Sequence, residues 1–425
     1  FLQHGPLRLR AGPSSMSSND DFIRNILKND PAQRFERILQ NVDSYRVQIA
    51  LSVVRHDAQG GPRLERHSYR SGAEYFYPAS TVKVCAAVAA LQTLRERSRT
   101  LQLPLGITSR LVIHPSPSDS PQEAERVDHS NLADQTITVL HEIRKLFLVS
   151  DNPAFNRLFN LVGQRELNQR MWSAGLTSVR IRHRLYDRVF ANPPDESFSP
   201  AVEVWCNLDQ AIGFPPRKWS VKISNDDQAH TDYKVGTGHI DGSGIKIEEP
   251  LDFSKKNAMS LQDLQELLVK LFRPDLTEAQ PRFELDEGDR LLLAETMAQY
   301  PSQSTNPVYC SKEYPDEYGK FFLPGVTRVW SKAAVRMYNK LGRAYGFSID
   351  NAYIVNVERG EAFFLAANIY TNSNGILNDD EYEYDVADSF LEDLGEVMTR
   401  ALWLMEVESK CVAADVSTYK HVIEG

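Results

Sequence analysis

Hydrophobic residues recur along the chain with two different periods. Between residues 20 and 40 apolar side chains recur every three to four positions, which predicts two short helices. From residue 46 to 53 apolar and polar residues alternate, the pattern of a half-buried strand, and residues 64–69 follow a Gly-Gly turn as the returning strand. The N-terminal part is therefore predicted to be helices followed by a β-hairpin.

The longest apolar run lies at residues 84–91, and it predicts a buried helix that begins just after a proline. Residues 136–147 also show helical spacing. A turn at residues 150–152 leads into a further helix, from which Pro153 excludes Asn152 because proline disfavours a helical conformation in the residue before it. The middle of the chain is predicted to be mainly helical.

Periodic segments return in the last part of the chain. The pattern predicts helices at 261–271 and 285–297, strands at 335–342, 350–357 and 362–370, and a closing helix at 385–405. Residues 98–135 are instead rich in Ser, Pro and Asp, and residues 188–257 in Pro, Gly, Asp and Trp. The second of these is too long for an ordinary connection, so we expect either a lid or a structured surface insertion.

Composition narrows the class of protein. The 425 residues carry a net charge of −9, which argues against a nucleic-acid partner because no basic field would attract phosphates. No apolar stretch reaches the length that a membrane span needs. The four cysteines are scattered and form no C-x-x-C pair, which argues against a zinc ribbon. Residues 1–19 and 406–425 are interpreted as an irregular leader and a tail.

The start of the apolar helix carries the first candidate chemistry. Ser80 falls in its first turn, where unpaired backbone N–H groups and the helix dipole favour developing negative charge. Lys83 follows three residues later on the same helical face, and burial would lower its pKa and make it a proton acceptor for a serine nucleophile. The alternative is that Lys83 reaches the surface and Ser80 only caps the helix.

Two further motifs follow in order. Ser150-Asp151-Asn152 forms the predicted turn, where Asp151 is expected to cap the next helix. Two Lys-x-Gly triplets come later, starting at Lys234 and at Lys340. We choose Lys340, because it lies on a predicted strand just upstream of the last helix, whereas Lys234 falls in the irregular stretch.

The ordered triple S-x-x-K, S-D-N and K-x-G resembles that of class A β-lactamases and penicillin-binding proteins, from about residue 20 to 405. The resemblance implies an α+β fold, with an antiparallel sheet flanked by N- and C-terminal helices and an all-helical subdomain. It places the α/β part at 20–75 and 330–405, the helical part at 76–187 and 258–329, and an insertion at 188–257.

The resemblance also implies roles. Ser80 would attack a carbonyl and form an acyl-enzyme, with Lys83 as base. Ser150 would pass a proton to the leaving nitrogen, Asn152 would bind the substrate amide, and Lys340 would supply positive charge to the substrate carboxylate. The backbone N–H groups of Ser80 and Arg343, the latter next to Gly342, would form the oxyanion hole.

The chain departs from the family at the third motif. The family usually has Thr or Ser between the Lys and the Gly, where a hydroxyl meets the substrate carboxylate, but here Leu341 cannot donate a hydrogen bond. Arg343 would share a strand face with Leu341, so we expect its guanidinium to bind the carboxylate instead.

A second departure concerns deacylation. Class A β-lactamases use a loop glutamate to activate water, and residues 180–187 contain none. Glu166 imitates that glutamate, but it lies on the preceding helical pattern and is expected to be a surface residue. His183 or Asp187 would be the substitute base, unless both simply hold the loop in shape through the neighbouring arginines.

The sequence thus predicts a serine hydrolase that cleaves an amide or β-lactam in a small molecule or peptide bearing a carboxylate. The alternatives are a D-alanyl peptidase or transpeptidase, which needs no loop glutamate, and a sensor that is acylated without turnover. No metal or cofactor is implied. The resemblance suggests a periplasmic or secreted location.

Overall fold

The computed structural model describes residues 18–56, 60–115, 123–185, 198–207, 210–219, 223, 232–277 and 281–405. The helices are α1 Ser18–Lys28, α2 Glu36–Gln40, α3 Lys83–Leu101, α4 Val139–Leu148, α5 Asn152–Val162, α6 Gln164–Ser173, α7 Leu261–Phe272, α8 Glu287–Ala298, α9 Leu323–Thr327 and α10 Tyr384–Met405. None of these helices is both long and apolar enough to cross a membrane.

The strands fall mostly in consecutive groups between these helices. They are β1 Gln48–His56, β2 Pro62–Tyr69, β3 Arg110–Ile113, β4 Phe198–Ser199, β5 Val202–Trp205, β6 Ala211–Phe214, β7 Arg217–Lys218, β8 Lys234–Val235, β9 Gly238–Ile240, β10 Lys246–Ile247, β11 Leu251–Asp252, β12 Val335–Asn339, β13 Gly342–Ala344, β14 Phe347–Asn356, β15 Glu361–Tyr370 and β16 Ile376–Leu377. The predicted α+β class is confirmed.

The main sheet joins the two ends of the chain. Its order is β12-β14-β15-β1-β2, and all of these pairs are antiparallel. Strand β13 also pairs antiparallel with β14, at residues 347–349, whereas β12 pairs with residues 352–356. The N-terminal hairpin β1–β2 is added to the C-terminal strands through the pairing of Leu51 with Leu365. This sheet carries the strand that reaches the site described below.

The first strand is buried on both faces, so the prediction of a half-buried strand is wrong. Ile49 and Leu51 lie in the core shared with α1 and α10, whereas Ala50 lies in the core on the opposite face, under α7. The polar residue that follows them, Ser52, is satisfied inside the protein, because its hydroxyl donates to Gln265 of α7 over 2.6 Å. The two faces of this strand therefore pack into two different apolar cores, instead of one face packing into the core and the other facing solvent.

Helix α3 is the centre of the helical part. Its side chains from Lys83 to Leu94 are buried, as its apolar run predicts, and it packs against α5 and α6. A capped helix start follows at α4, where the backbone N–H of His141 donates to the Thr138 side chain.

The start of α5 differs from the prediction. Asn152 is its first residue and Pro153 its second, with Asp151 as the N-cap. Proline is tolerated in the first turn because its missing N–H is one of the groups that a helix leaves unpaired there. The steric rule for the residue before proline is therefore overridden by this local geometry, and Asn152 is helical.

The stretch at 188–257 contains more regular structure than the sequence indicated. In its described part, β5 pairs with β3 and β6, and β8 pairs with β11. The described cysteines, Cys85, Cys206 and Cys310, are free thiols. Residues 1–17 and 406–425 lie outside the described part of the chain.

Candidate active site

Ser80 stands where a short 3₁₀ turn leads into α3. The turn spans Ala79–Val82, and the Thr81 hydroxyl steadies it by donating to the Pro78 carbonyl over 2.6 Å. Ala79, just before the serine, has a φ of 47°, a conformation that residues with a Cβ adopt rarely and that is often found at functional sites. Half-buried Ser80 lines a cavity of about 670 Å³.

Lys83 connects the first motif to the second. It is fully buried at the start of α3, and its Nζ donates to the Ser150 carbonyl, to Ser150 Oγ over 3.2 Å and to Asn152 Oδ1 over 2.6 Å. The alternative in which this lysine reaches the surface is therefore wrong. The S-x-x-K and S-D-N motifs meet through a buried amine.

Ser150 lies between two lysines. Its Oγ accepts a second hydrogen bond from Lys340 Nζ, over 2.8 Å, and that amine also donates to the Leu341 carbonyl over 2.8 Å. Ser150 has a φ of 59°, so it too adopts a rare backbone conformation. A hydroxyl held between two amines beside Ser80 is suited to pass a proton between them and a bound substrate.

Of the two Lys-x-Gly triplets, the one that starts at Lys340 lies beside Ser150. Lys340 is buried, and its pKa is lowered well below the usual value by loss of hydration and by the charge of Lys83, against an opposing effect of Asp350. Lys234 is exposed on β8, and its strand pairs with β11. The structure thus brings Lys340 to Ser150.

The strand that carries this motif is interrupted between Asn339 and Gly342, beside the turn with Ser80. After β12 ends at Asn339, the Lys340 backbone N–H donates to the Asn351 carbonyl over 3.1 Å, and pairing resumes at Gly342. A Cβ at Gly342 would lie 2.9 Å from the Ser80 nitrogen, so only glycine lets the strand approach the turn this closely. Backbone from both motifs meets at this point.

A tight turn returns the chain from β13 to β14. Tyr345 and Gly346 form its two-residue loop, with φ of 55° and 80°. Positive φ at both positions is typical of the type I′ turn, whose twist suits an antiparallel hairpin. The turn therefore sets the register that pairs Arg343 with Ser348.

Arg343 reaches the cavity but is already engaged. Its Nε donates to Ser348 Oγ over 3.0 Å, and its Nη atoms bind both carboxylate oxygens of Asp388 on α10. The guanidinium also lies over the rings of Phe321 and Tyr384, at 4.4 and 4.6 Å from their centroids. Binding of a substrate carboxylate by Arg343 stays a prediction.

Asp151 acts as expected from its place in the turn. Its Oδ1 accepts a 2.7 Å hydrogen bond from the Ala154 backbone, which caps α5. The same carboxylate lies 3.9 Å from Lys145 Nζ. Lys145 in turn binds Asp128 over 2.6 Å, so the S-D-N turn is braced against buried charges.

The loop after α6 is held by asparagine side chains that sequence reasoning missed. Asn156 exchanges two hydrogen bonds with the Leu185 backbone, and Asn168 does the same with Ile181. The Asn257 carboxamide accepts from the backbone of Arg182. These partners are far apart in sequence, and the only local signal is an asparagine in an apolar helical pattern.

The candidate bases of that loop fare differently. His183 is half-buried, and its Nδ1 lies 2.6 Å from the Arg184 carbonyl oxygen. Burial lowers the pKa of its imidazole to about 4. It is absent from the described lining of the cavity. Asp187 lies outside the described residues. Glu166 is a half-exposed surface residue of α6 that pairs with Arg170, as expected.

The cavity has a wall that the sequence did not predict. Residues between 314 and 324 line it together with Ser80, Ser150 and, on α10, Asp388 and Glu392. The Tyr314 and Tyr318 rings meet edge to face at 4.9 Å. Among the described residues, no group of three or more His, Cys, Asp or Glu side chains is placed to hold a metal ion.

The chain is similar to one known family and to several solved structures. Residues 34–280, more than half of the chain, match the beta-lactamase enzyme family. No curated protein matches. A beta lactamase from Xanthomonas campestris is similar at 17% identity and a TM-score of 0.49, over 90% of this chain and 98% of that one. A class A beta-lactamase from Mycobacterium abscessus is similar at 15% identity and a TM-score of 0.45, over 91% and 99%.

The family match covers the first two motifs of the site. The matched residues include the turn with Ser80, the buried Lys83 and the Ser150 turn, whereas Lys340 and Arg343 lie beyond the matched range. This chain belongs to the beta-lactamase enzyme family, a family of hydrolases.

Proposed function

We propose that the protein is a serine hydrolase that opens an amide or β-lactam through an acyl-enzyme on Ser80. The observation that carries the proposal is the position of Ser150 Oγ, which accepts hydrogen bonds from both Lys83 and Lys340 at the edge of the cavity that Ser80 lines. A nucleophile needs a nearby base and a route for its proton. These buried groups supply both.

The proposed steps use Ser80, Ser150 and Asn152 of the cavity wall and the buried Lys83 behind them. Lys83 takes the Ser80 proton as Ser80 Oγ bonds to the carbonyl carbon, and Ser150 then delivers a proton to the leaving nitrogen as the carbon–nitrogen bond breaks. Asn152, which lies within 2.6 Å of Lys83 Nζ, orients the substrate amide.

The developing oxyanion would be bound by backbone N–H groups. Ser80 supplies one from the 3₁₀ turn, and Arg343 supplies the other from β13. The close approach of Gly342 to the Ser80 nitrogen supports this pairing. Removing one donor from such a site typically costs about 2.7 to 4 kcal/mol in the transition state.

A second candidate is a D-alanyl peptidase or a protein that stays acylated. The observation that favours it is the loop at residues 180–187, whose sequence contains no glutamate and whose half-buried His183 is absent from the described lining of the cavity. Deacylation needs a base for the attacking water. This candidate therefore predicts a long-lived acyl-enzyme with β-lactams.

The test follows the mass of the intact protein over time with benzylpenicillin, using Ser80→Ala as the control. An adduct on the wild type that the variant lacks supports the acyl-enzyme. A persistent adduct favours the second candidate, and a transient one favours the hydrolase. Consumption of benzylpenicillin by Ser80→Ala at the wild-type rate would contradict both.

A further inference from the structure

The cavity beside Ser150 contains a cation that is neutralised from within the protein. Arg343 binds Asp388 through both Nη atoms, and its Nε donates a hydrogen bond to Ser348 Oγ. The guanidinium also lies over the rings of Phe321 and Tyr384. Arg343 and Asp388 both line the cavity, so the pair is part of its wall.

The other cation of the described lining is Lys320, and it is also engaged. Its Nζ is buried and donates to the carbonyls of Met297 and Met337 over 2.7 and 2.8 Å, and to Asn339 Oδ1 over 2.9 Å. Burial lowers its pKa to about 7. The described wall therefore presents little positive charge to a ligand.

Apart from Ser80 and the S-D-N turn, the rest of the described wall is apolar or acidic. Its apolar members are Val149, Tyr314, Pro315, Tyr318, Phe321, Pro324 and Leu341. Glu317 pairs with Lys332 and Glu392 with Arg328, whereas Asp388 pairs with Arg343 inside the cavity wall. A ligand with a negative charge next to Arg343 would meet the Asp388 carboxylate, and one with an apolar group would meet the aromatic rings.

We propose that Asp388 determines specificity by occupying Arg343, so that this subsite takes an uncharged, apolar or aromatic group next to the scissile amide rather than a free carboxylate. The inference rests on the proposed function. A substrate carboxylate would have to displace Asp388, exchanging one carboxylate–guanidinium pair for another and leaving Asp388 unpaired beside it. An uncharged group avoids that repulsion and keeps its contact with the aromatic wall.

The experiment compares two forms of one β-lactam, benzylpenicillin and its methyl ester. The second-order rate of Ser80 acylation is measured by intact mass for the wild type and for Asp388→Asn, which keeps the shape but removes the charge. The ester is expected to react faster than the acid with the wild type. Asp388→Asn is expected to accelerate the acid by about tenfold, equivalent to about 1.4 kcal/mol, and to leave the ester rate unchanged.

Glu392→Gln is the matched control. Glu392 lines the same cavity one turn further along α10, but it pairs with Arg328 instead of Arg343. Its acid-to-ester ratio should stay that of the wild type. The proposal is overturned if the wild type prefers the acid, if Asp388→Asn leaves the ratio unchanged, or if Glu392→Gln changes it as much.

A second measurement separates this inference from the proposed function. Thermal-shift titrations with N-acetyl-D-alanine and its amide report binding without any acylation. The inference is supported if the amide stabilises the wild type more than the acid does, and the acid stabilises Asp388→Asn more than the amide does. This result would support the inference even if neither β-lactam acylates the protein and the proposed function fails. Stabilisation of the wild type by the acid at least as strongly as by the amide, or no shift with the amide, overturns it.

Discussion

Replacing Gly342 with alanine would place a methyl group against the backbone that carries Ser80. The added Cβ would lie 2.7 Å from the Pro78 oxygen, 2.9 Å from the Ser80 nitrogen and 3.0 Å from the Thr81 nitrogen. All three atoms are backbone, so no flexible side chain can move aside. Strand β13 and the 3₁₀ turn must separate.

The size of the separation follows from these distances. Ordinary contact begins at 3.4 Å, so the contact at 2.7 Å must lengthen by about 0.7 Å. Misplacement of a catalytic group by about 1 Å typically costs about 10²-fold in rate, so Gly342→Ala should slow the reaction of Ser80 by tens of fold. Overpacking of this kind also costs about 1–3 kcal/mol of stability.

The assay is the rate at which a fluorophosphonate labels Ser80, followed by intact mass, together with urea unfolding of the same variant. Gly106→Ala is the control, because a Cβ there meets nothing within 4 Å and its φ is not in the left-handed region. A folded Gly342→Ala protein that labels at the wild-type rate would refute the assignment of this contact to the site.

Two further predictions concern charge. Lys340→Met should lower the rate of Ser80 labelling by about 10²-fold, because it removes a buried electrostatic contact to Ser150. Lys234→Met should leave that rate unchanged. Equal effects of the two substitutions would contradict the choice of Lys340. Burial lowers the pKa of His141 and of His183 from 6.5 to about 4, so between those values the unfolded chain binds more protons and the free energy of unfolding falls as pH decreases. Urea unfolding from pH 7 to 4 should show a shallower fall in His141→Gln and in His183→Asn, and an unchanged slope would contradict this.

Much of the fold could be predicted because its signals are local. The apolar run of α3 and the strands β14 and β15 are contiguous patterns that the structure confirms. The burial of β1 on both faces could not be predicted, since the partner of Ser52 is Gln265, more than two hundred residues away. A polar residue in a strand indicates solvent unless its partner is known.

The site divides in the same way. Ser80, Lys83, Ser150 and Lys340 stand in short motifs with fixed spacing, and the structure brings them together at one cavity edge. Asp388 was missed because a single acidic residue on an amphipathic helix is typical of a solvent-facing position. Only the three-dimensional pairing with Arg343 distinguishes it.

The wall at residues 314–324 was missed for a related reason. Its tyrosines, prolines and Lys320 follow no helical or strand period, and the segment contains only short 3₁₀ and α-helical turns. Lys320 becomes interpretable only once Asn339 and two carbonyls from other elements surround its amine.

The most direct test of the account is the covalent labelling of Ser80. Wild type and Ser80→Ala are treated with a fluorophosphonate and their intact masses compared, with peptide mapping of the modified site. The account predicts one adduct on the wild type, on Ser80, and none on the variant. Equal labelling of Ser80→Ala, or a folded wild type that takes no label, would contradict the assignment of Ser80 as the nucleophile.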